Sequence, residues 1–345
     1  MSPQEPLPFP PLLGQTREEL EAFAEALGEP PYRGRQLARW LYAKGARSYA
    51  VMTDLPQAFR VRLEAEVPLG RSALLHLQRS RDGTVKFLLE EADGERVEAV
   101  LMPYERRLTV CLSSQVGCPI GCLFCATGLS GFTRNLSAGE MVDQVLTAQE
   151  FARRRISNVV FMGMGEPLLN YEQVLKAVHL LHREMGIGMR HITLSTVGHV
   201  PGIRRLAEEG LQLTLAISLH APNDALRRWL IPHLARFSLE EILAAAREYG
   251  EKTGRRVSFE YVLLSQVNDS PGHAKELASR LRNLPCHVNL IPFNPVAETD
   301  FRPPEPQRIR AFREVLERAG IAVTQRLQRG ADIDAACGQL RRSWR

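Results

Sequence analysis

From about residue 107 the sequence repeats one rhythm: a short apolar run of β-formers, a polar or Gly-punctuated loop, then a longer stretch with helical spacing. Candidate strands fall at 108–113, 158–162, 191–195, 213–218, 257–264 and 288–291. Helical periodicity covers residues near 139–154, 171–184, 202–209, 239–252, 271–283 and 306–319. Parallel neighbours need a crossover of about a dozen residues or more, usually a helix, so this alternation predicts a parallel sheet. Six βα units suit an α/β fold curled into a closed or partial TIM-like (βα)6 barrel. Ligand-binding residues then gather at the carboxyl ends of the strands. The conspicuous residues of this chain do fall there: 118–125 after the first strand, 163–166 after the second, Ser195, 218–220 and 292–294 after later ones.

Before that point the pattern differs. Residues 1–72 read as a small helical N-terminal domain: a Pro-rich start over 1–13, then short amphipathic helices. One helix places Leu37, Trp40 and Leu41 on one face and Arg33, Arg35 and Arg39 on the other. Those arginines suit either a solvated face or a phosphate-contacting one. Residues 73–104 read as a β-strand extension or linker with Gly turns, and 105–345 as the barrel with its C-terminal loop. The net charge of +5 leans weakly toward an anionic partner. No apolar run approaches the roughly 20 residues of a membrane span, and no signal peptide is evident. A cytoplasmic protein with no membrane partner is therefore expected.

The loop Gly117-Cys118-Pro119-Ile120-Gly121-Cys122-Leu123-Phe124-Cys125 carries three cysteines at C-x3-C-x2-C spacing. Three thiolates this close suit three irons of a [4Fe–4S] cube and leave the fourth iron for a ligand. Zinc is less well served, because it takes four ligands, usually as two pairs, and Cys286 and Cys337 stand alone far along the chain. A chain of 345 residues has enough core to need no disulfide framework. The spacing resembles that of radical S-adenosylmethionine (SAM) enzymes, which implies a cluster on Cys118, Cys122 and Cys125 whose open iron chelates SAM. The turn Gly163-Met164-Gly165-Glu166-Pro167 beside it resembles their methionine-binding turn. Ser195, Ser218, His220 and Asn294 are singly ordinary loop or cap residues; together at one rim they suit contacts to the ribose and carboxylate of SAM. A Ser218–His220 catalytic pair is disfavoured, since no nucleophile elbow surrounds the serine. Chemistry alone reads Cys111, Cys286 and Cys337 as small buried hydrophobes.

A narrower resemblance runs from about residue 95 to the end. It rests on Thr109-Val110-Cys111-Leu112-Ser113-Ser114-Gln115-Val116-Gly117-Cys118, Gly131-Phe132-Thr133-Arg134-Asn135-Leu136, Ser218-Leu219-His220-Ala221-Pro222-Asn223-Asp224, Asn289-Leu290-Ile291-Pro292-Phe293-Asn294-Pro295 and the tail 332–340. These stretches are similar to the RlmN family of RNA methyltransferases, which act on carbon 2 of adenosine. One departure is Gln266, where a Gly is common. The resemblance implies that Cys118, Cys122 and Cys125 hold the cluster and that Gly165, Glu166, Ser195, Ser218, Leu219, His220 and Asn294 hold SAM. It implies Cys337 as an S-methylated carrier, Cys111 as the thiol that resolves it through a transient disulfide, and Glu98 as proton acceptor. Two SAM molecules are used per turnover. The implied substrates are 23S ribosomal RNA at adenosine 2503 and tRNA at adenosine 37. The implied partner is an electron donor of flavodoxin or ferredoxin type, and the protein itself is expected to be a monomer. A related Cfr-type enzyme methylating carbon 8, and a non-catalytic Fe–S or zinc RNA-binding module, are the alternatives.

Overall fold

A computed structural model describes residues 9–233 and 237–341. The chain opens with helices α1 (Arg17–Ala26), α2 (Tyr32–Ala38), which runs into a π-helical turn Arg39–Ala43, and α3 (Gln57–Glu66). Thr16 starts α1 by accepting from the Glu19 amide while the Glu19 carboxylate takes the Thr16 amide, which satisfies two otherwise orphan donors. This unit is seated on the barrel. Arg71 pairs with the buried Asp143, whose other oxygen accepts from the Ser72 amide at 2.9 Å. Leu12, Leu20, Leu37 and Leu63 join the same apolar core as the barrel helices.

Residues 73–104 form three antiparallel strands: β1 (Ala73–Arg79), β2 (Val85–Glu90) and β3 (Arg96–Pro103). They continue directly into the barrel sheet, since β3 pairs antiparallel with β4 (Leu108–Leu112). After β4 a small hairpin, β5 (Gln115–Gly117) with β6 (Phe132–Asn135), brackets the cysteine loop and the short α4 (Ala126–Leu129). Then follow α5 (Ala138–Ala152), β7 (Asn158–Phe161), α6 (Tyr171–Arg183), β8 (Ile192–Thr196), α7 (Val200–Glu208) and β9 (Thr214–Ser218). The rest is α8 (Asp224–Leu230), α9 (Leu239–Thr253), β10 (Val257–Leu263), α10 (Pro271–Arg280), β11 (Cys286–Pro292), α11 (Pro306–Arg318) and β12 (Ala322–Gln325).

The sheet order is β1-β2-β3-β4-β7-β8-β9-β10-β11-β12, with every pair from β4 to β12 parallel. All six expected strands are present. A seventh parallel strand, β12, was not foreseen: its four residues are mostly exposed and show no apolar run. The sheet ends at β1 and β12 without closing, so this is a partial barrel. The central strands are apolar because helices cover them; β4 is buried at all five positions.

Close backbone contact joins the N-terminal unit to α5. A Cβ at Gly139 would lie 2.3 Å from the Leu13 carbonyl oxygen, which only a backbone shift could relieve. Gly139→Ala should therefore lower stability by about 1–3 kcal/mol in urea titration. Gly272→Ala, whose Cβ would meet only Ser270 Oγ at 3.6 Å, should be neutral or better. Equal midpoints for the two variants would show that this contact does not constrain the domain.

Candidate active site

The cysteine loop is shaped by its own backbone. Cys118 N donates to the Gly131 carbonyl at 2.8 Å, Leu123 N to Leu230 at 3.0 Å and Cys125 N to Cys122 at 3.1 Å. Gly128 must lack a side chain, since a Cβ there would meet Cys122 N at 2.8 Å. Cys118, Cys122 and Cys125 all line one cavity of about 150 Å³ at the mouth of the barrel. Burial pushes all three thiols up, Cys118 to about 12. Arg227, 1% exposed, lies beside Cys122; one guanidinium nitrogen is held by the Val197 carbonyl, while Nε is buried with no protein partner. Among the described residues no group of three His, Cys, Asp or Glu side chains is gathered to hold a single metal ion. Three soft thiols sharing a cavity, with a buried cation to offset negative charge, fit a multi-iron cluster instead.

Strand ends supply the rest of this cavity's wall. Gly165, Glu166, Ser195, Ser218 and His220 all line it. Gly165 has φ +104°, and a Cβ there would press on Gln115 at 2.6 Å. Glu166 is buried, and burial pushes its carboxyl up to about 7. Its two oxygens accept from Leu168 N at 3.0 Å and Val197 N at 2.8 Å, which fixes its orientation. His220 has φ +59°, and its Nδ1 accepts from Val262 N at 3.0 Å, so its proton sits on Nε2. Burial, with Arg227 nearby, lowers this imidazole to about 3 and keeps it neutral. Leu219 points into the core; its amide donates to the Glu260 carbonyl at 3.0 Å. Glu260, buried on β10 and missed in the sequence, also faces the cavity.

A second cavity of about 100 Å³ adjoins the first. Cys111 of β4 and Cys337 both line it, and Cys337 lines the first cavity as well. All six cysteines are unpaired. Burial and the neighbouring Cys337 push the Cys111 thiol up to about 12, against the opposing charge of Arg326. Arg326, just after β12, lines both cavities and was not singled out from sequence. Asn294 faces the second cavity rather than the first, and its amide donates to the Cys337 carbonyl at 2.9 Å.

The loop bearing Cys337 is gripped from two sides. On the barrel side, Ala126 N donates to Gly338 O at 2.8 Å and Thr127 Oγ1 to Leu340 O at 2.6 Å. On the other side the β1–β3 extension holds it. Ser80 Oγ donates to Asp332 at 2.5 Å, Gly330 N to Asp82 at 3.0 Å and Lys86 Nζ to the Asp334 carbonyl at 3.1 Å. Glu98 is 1% exposed and lines neither cavity. One of its oxygens pairs with Lys86 Nζ at 3.0 Å and the other accepts from Arg341 N at 2.7 Å. Burial raises its carboxyl above the usual range, against the pull of Lys86 and Arg341. Burial alone would also raise Asp82, but hydrogen bonds from Thr84, Gly330 and Ser80 lower it to about 2.

A family model described as the Radical SAM superfamily matches residues 112–278, and one described as the Ribosomal RNA large subunit methyltransferase N-terminal domain matches residues 11–68. A crystal structure of a radical SAM methyltransferase from Sphaerobacter thermophilus superposes with a TM-score of 0.94 at 50% identity, covering 96% of this chain and 99% of that one. Fold and site thus define a radical SAM methyltransferase. Proteins named probable dual-specificity RNA methyltransferase RlmN match over nearly their whole length. That of Trichormus variabilis is 53% identical over 99% of this chain and 96% of its own. That of Gloeobacter violaceus is 55% identical over 96% of this chain and 95% of its own. The chain belongs to the RlmN family of radical SAM RNA methyltransferases.

The clamp on the Cys337 loop can be loosened selectively. Asp82→Ala removes its one side-chain hydrogen bond to the loop, that from Gly330 N, worth about 1 kcal/mol, which raises the population of the undocked loop about fivefold. Iodoacetamide labelling of Cys337 should accelerate by that factor, while Cys286, remote from the loop, keeps its rate. Unchanged Cys337 labelling would mean that the extension does not hold the loop.

Proposed function

We propose that the chain methylates carbon 2 of unpaired adenosine, at adenosine 2503 of 23S ribosomal RNA and adenosine 37 of tRNA, with Cys337 as an S-methylated carrier. The reading is carried by Cys337, whose side chain lines both the cavity of the cluster cysteines and the cavity of Cys111. The printed names of the relatives, dual-specificity RNA methyltransferases, support two kinds of RNA substrate.

Carbon 2 of adenine is electron-poor, so a polar methyl transfer to it fails and a carbon radical is required. A [4Fe–4S] cluster on Cys118, Cys122 and Cys125, with SAM at its open iron, would supply the methyl group and the one-electron chemistry that activates it. The residues of the chain do the positioning. Gly165 lets SAM approach the backbone, while Glu166, Ser195, Ser218 and His220 offer polar contacts around it. The sulfur of Cys337 accepts one methyl group and holds it where the base arrives. Leu219 is buried in the barrel core, and Asn294 fixes the Cys337 carbonyl. Once the Cys337 carbon has joined adenine, the adduct must lose one electron, to the cluster, and its carbon-2 proton before the ring is aromatic again; Glu98, paired with Lys86 and lining neither cavity, takes that proton through a relay. A Cys111 thiolate then attacks the Cys337 sulfur; the bond from that sulfur to the transferred carbon breaks, the freed carbon takes up a proton to become the methyl group, and a Cys111–Cys337 disulfide is left. Arg326 lies near both sulfurs and favours that thiolate. A dithiol reductant reopens the disulfide, and a flavodoxin- or ferredoxin-type donor supplies electrons to a monomeric enzyme using two SAM molecules per turnover.

The test is anaerobic reconstitution with hairpin RNA. Mass spectrometry of digested RNA should give 2-methyladenosine; 8-methyladenosine would overturn the carbon-2 assignment. Cys111→Ala should retain Cys337 methylation but trap protein joined to RNA, as a slow band on a denaturing gel sensitive to both protease and nuclease. Normal turnover without that band would make Cys111 a packing residue.

A further inference from the structure

The second cavity opens between the end of β3 and the segment after β12, and its rim gathers two arginines on one tyrosine ring. Some arginines of the chain are matched with carboxylates, as Arg134 is with Asp93 and Glu140. Two at this rim are not. Arg107 stands over one ring, that of Tyr104, with its guanidinium carbon 4.4 Å from the centroid, and Arg329 stands over the same ring at 4.7 Å. Among the described residues neither forms an ion pair with a carboxylate; Arg329 otherwise donates to the Asp82 carbonyl at 3.3 Å. The π face of one tyrosine therefore holds two guanidinium groups in place without neutralising them. Tyr104 and Arg329 line the cavity that contains Cys111 and Cys337. Leu327 lines the same cavity and is 75% exposed, the most exposed large apolar side chain among the described residues.

We propose that this rim is an RNA-contact site, in which Arg107 and Arg329 take phosphates flanking the target nucleotide and Leu327 fills the gap that the target base leaves. The proposal rests on the adenosine reading above. A base can reach the two sulfurs only by leaving its stack, and that unstacking costs a few kcal/mol. An apolar side chain presented to solvent at the entrance offsets the cost by packing against the bases left behind, as inserted wedges do in other nucleic-acid complexes. Uncompensated guanidinium charge fits the polyanionic backbone on either side and gives affinity without sequence choice. The nucleotides concerned are unpaired, because a closed helix cannot splay a base into a cavity of this size.

The experiment uses the cluster-loaded protein with SAM and a fluorescein-labelled RNA hairpin whose loop holds unpaired adenosines. Anisotropy is read across a salt series. Arg107→Gln, an exposed change that touches only the tyrosine ring, should weaken binding about five- to tenfold at low salt and flatten the salt slope by about 1. Adding Arg329→Gln should flatten it by about 2 in all. Leu327→Ser should leave the slope alone but reduce the fluorescence rise of 2-aminopurine placed at the target position. An Arg107→Gln protein with the wild-type slope overturns the phosphate assignment, and a Leu327→Ser protein with the wild-type fluorescence overturns the wedge. Wild-type protein that binds no hairpin overturns the adenosine reading together with the rim. Wild-type protein that binds and methylates while every variant matches it overturns the rim alone.

Discussion

The site depends on a buried charge pair that lies outside either cavity. Glu98 on β3 and Lys86 on β2 are both withdrawn from water, and each also holds the C-terminal loop, Lys86 through the Asp334 carbonyl and Glu98 through the Arg341 amide. A lone carboxylate could not be buried at such a place without neutralising itself. The pair and the two backbone groups satisfy one another, so the cost of burial is met only when the loop is docked. Removing one partner of a buried pair typically costs about 3–5 kcal/mol, because the other charge is left stranded. Docking of the loop and integrity of the β1–β3 extension are thus one cooperative event, and the position of Cys337 between the two cavities follows from it.

This makes the extension more than an appendage. Its turn at Ser80 and Asp82 and its strand residues Lys86 and Glu98 form one jaw, while Ala126, Thr127 and Asn294, beside the cysteine loop and at the end of β11, form the other. In the proposed reaction the Cys337 sulfur meets a methyl donor, a nucleobase and a second thiol, and so has to be held loosely enough to serve all three and tightly enough to stay between them. Backbone hydrogen bonds worth about 1 kcal/mol each, spread over two jaws, suit that demand better than burial in a packed core.

Much of this was legible in the sequence. The six central strands read correctly because helices packed on the barrel sheet leave short apolar runs of β-formers, and the cysteine spacing marked the loop whose three thiols share one cavity. β12 was not legible: Ala322-Val323-Thr324-Gln325 is a strand only because β11 offers it an edge. Arg227 was not legible either, since nothing in Leu226-Arg227-Arg228-Trp229 separates the buried arginine from its exposed neighbours. Glu98 and Asn294 could be named from family resemblance, but their partners Lys86, Arg341 and Cys337 are joined to them only by tertiary structure. Leu327 and the Tyr104 rim carry no motif; exposure and the cation–π geometry reveal them.

The claim on which the rest turns is that the carbon delivered to RNA has first resided on Cys337. Protein premethylated on Cys337 with a deuterated methyl group, freed of excess donor, can be given unlabelled SAM, reductant and hairpin RNA for a single turnover. Mass spectrometry of the adenosine product then reads the origin of its methyl carbon. Deuterium from Cys337 in the product is the expected result, and a wholly unlabelled methyl group, with the label still on the protein, would contradict the carrier role.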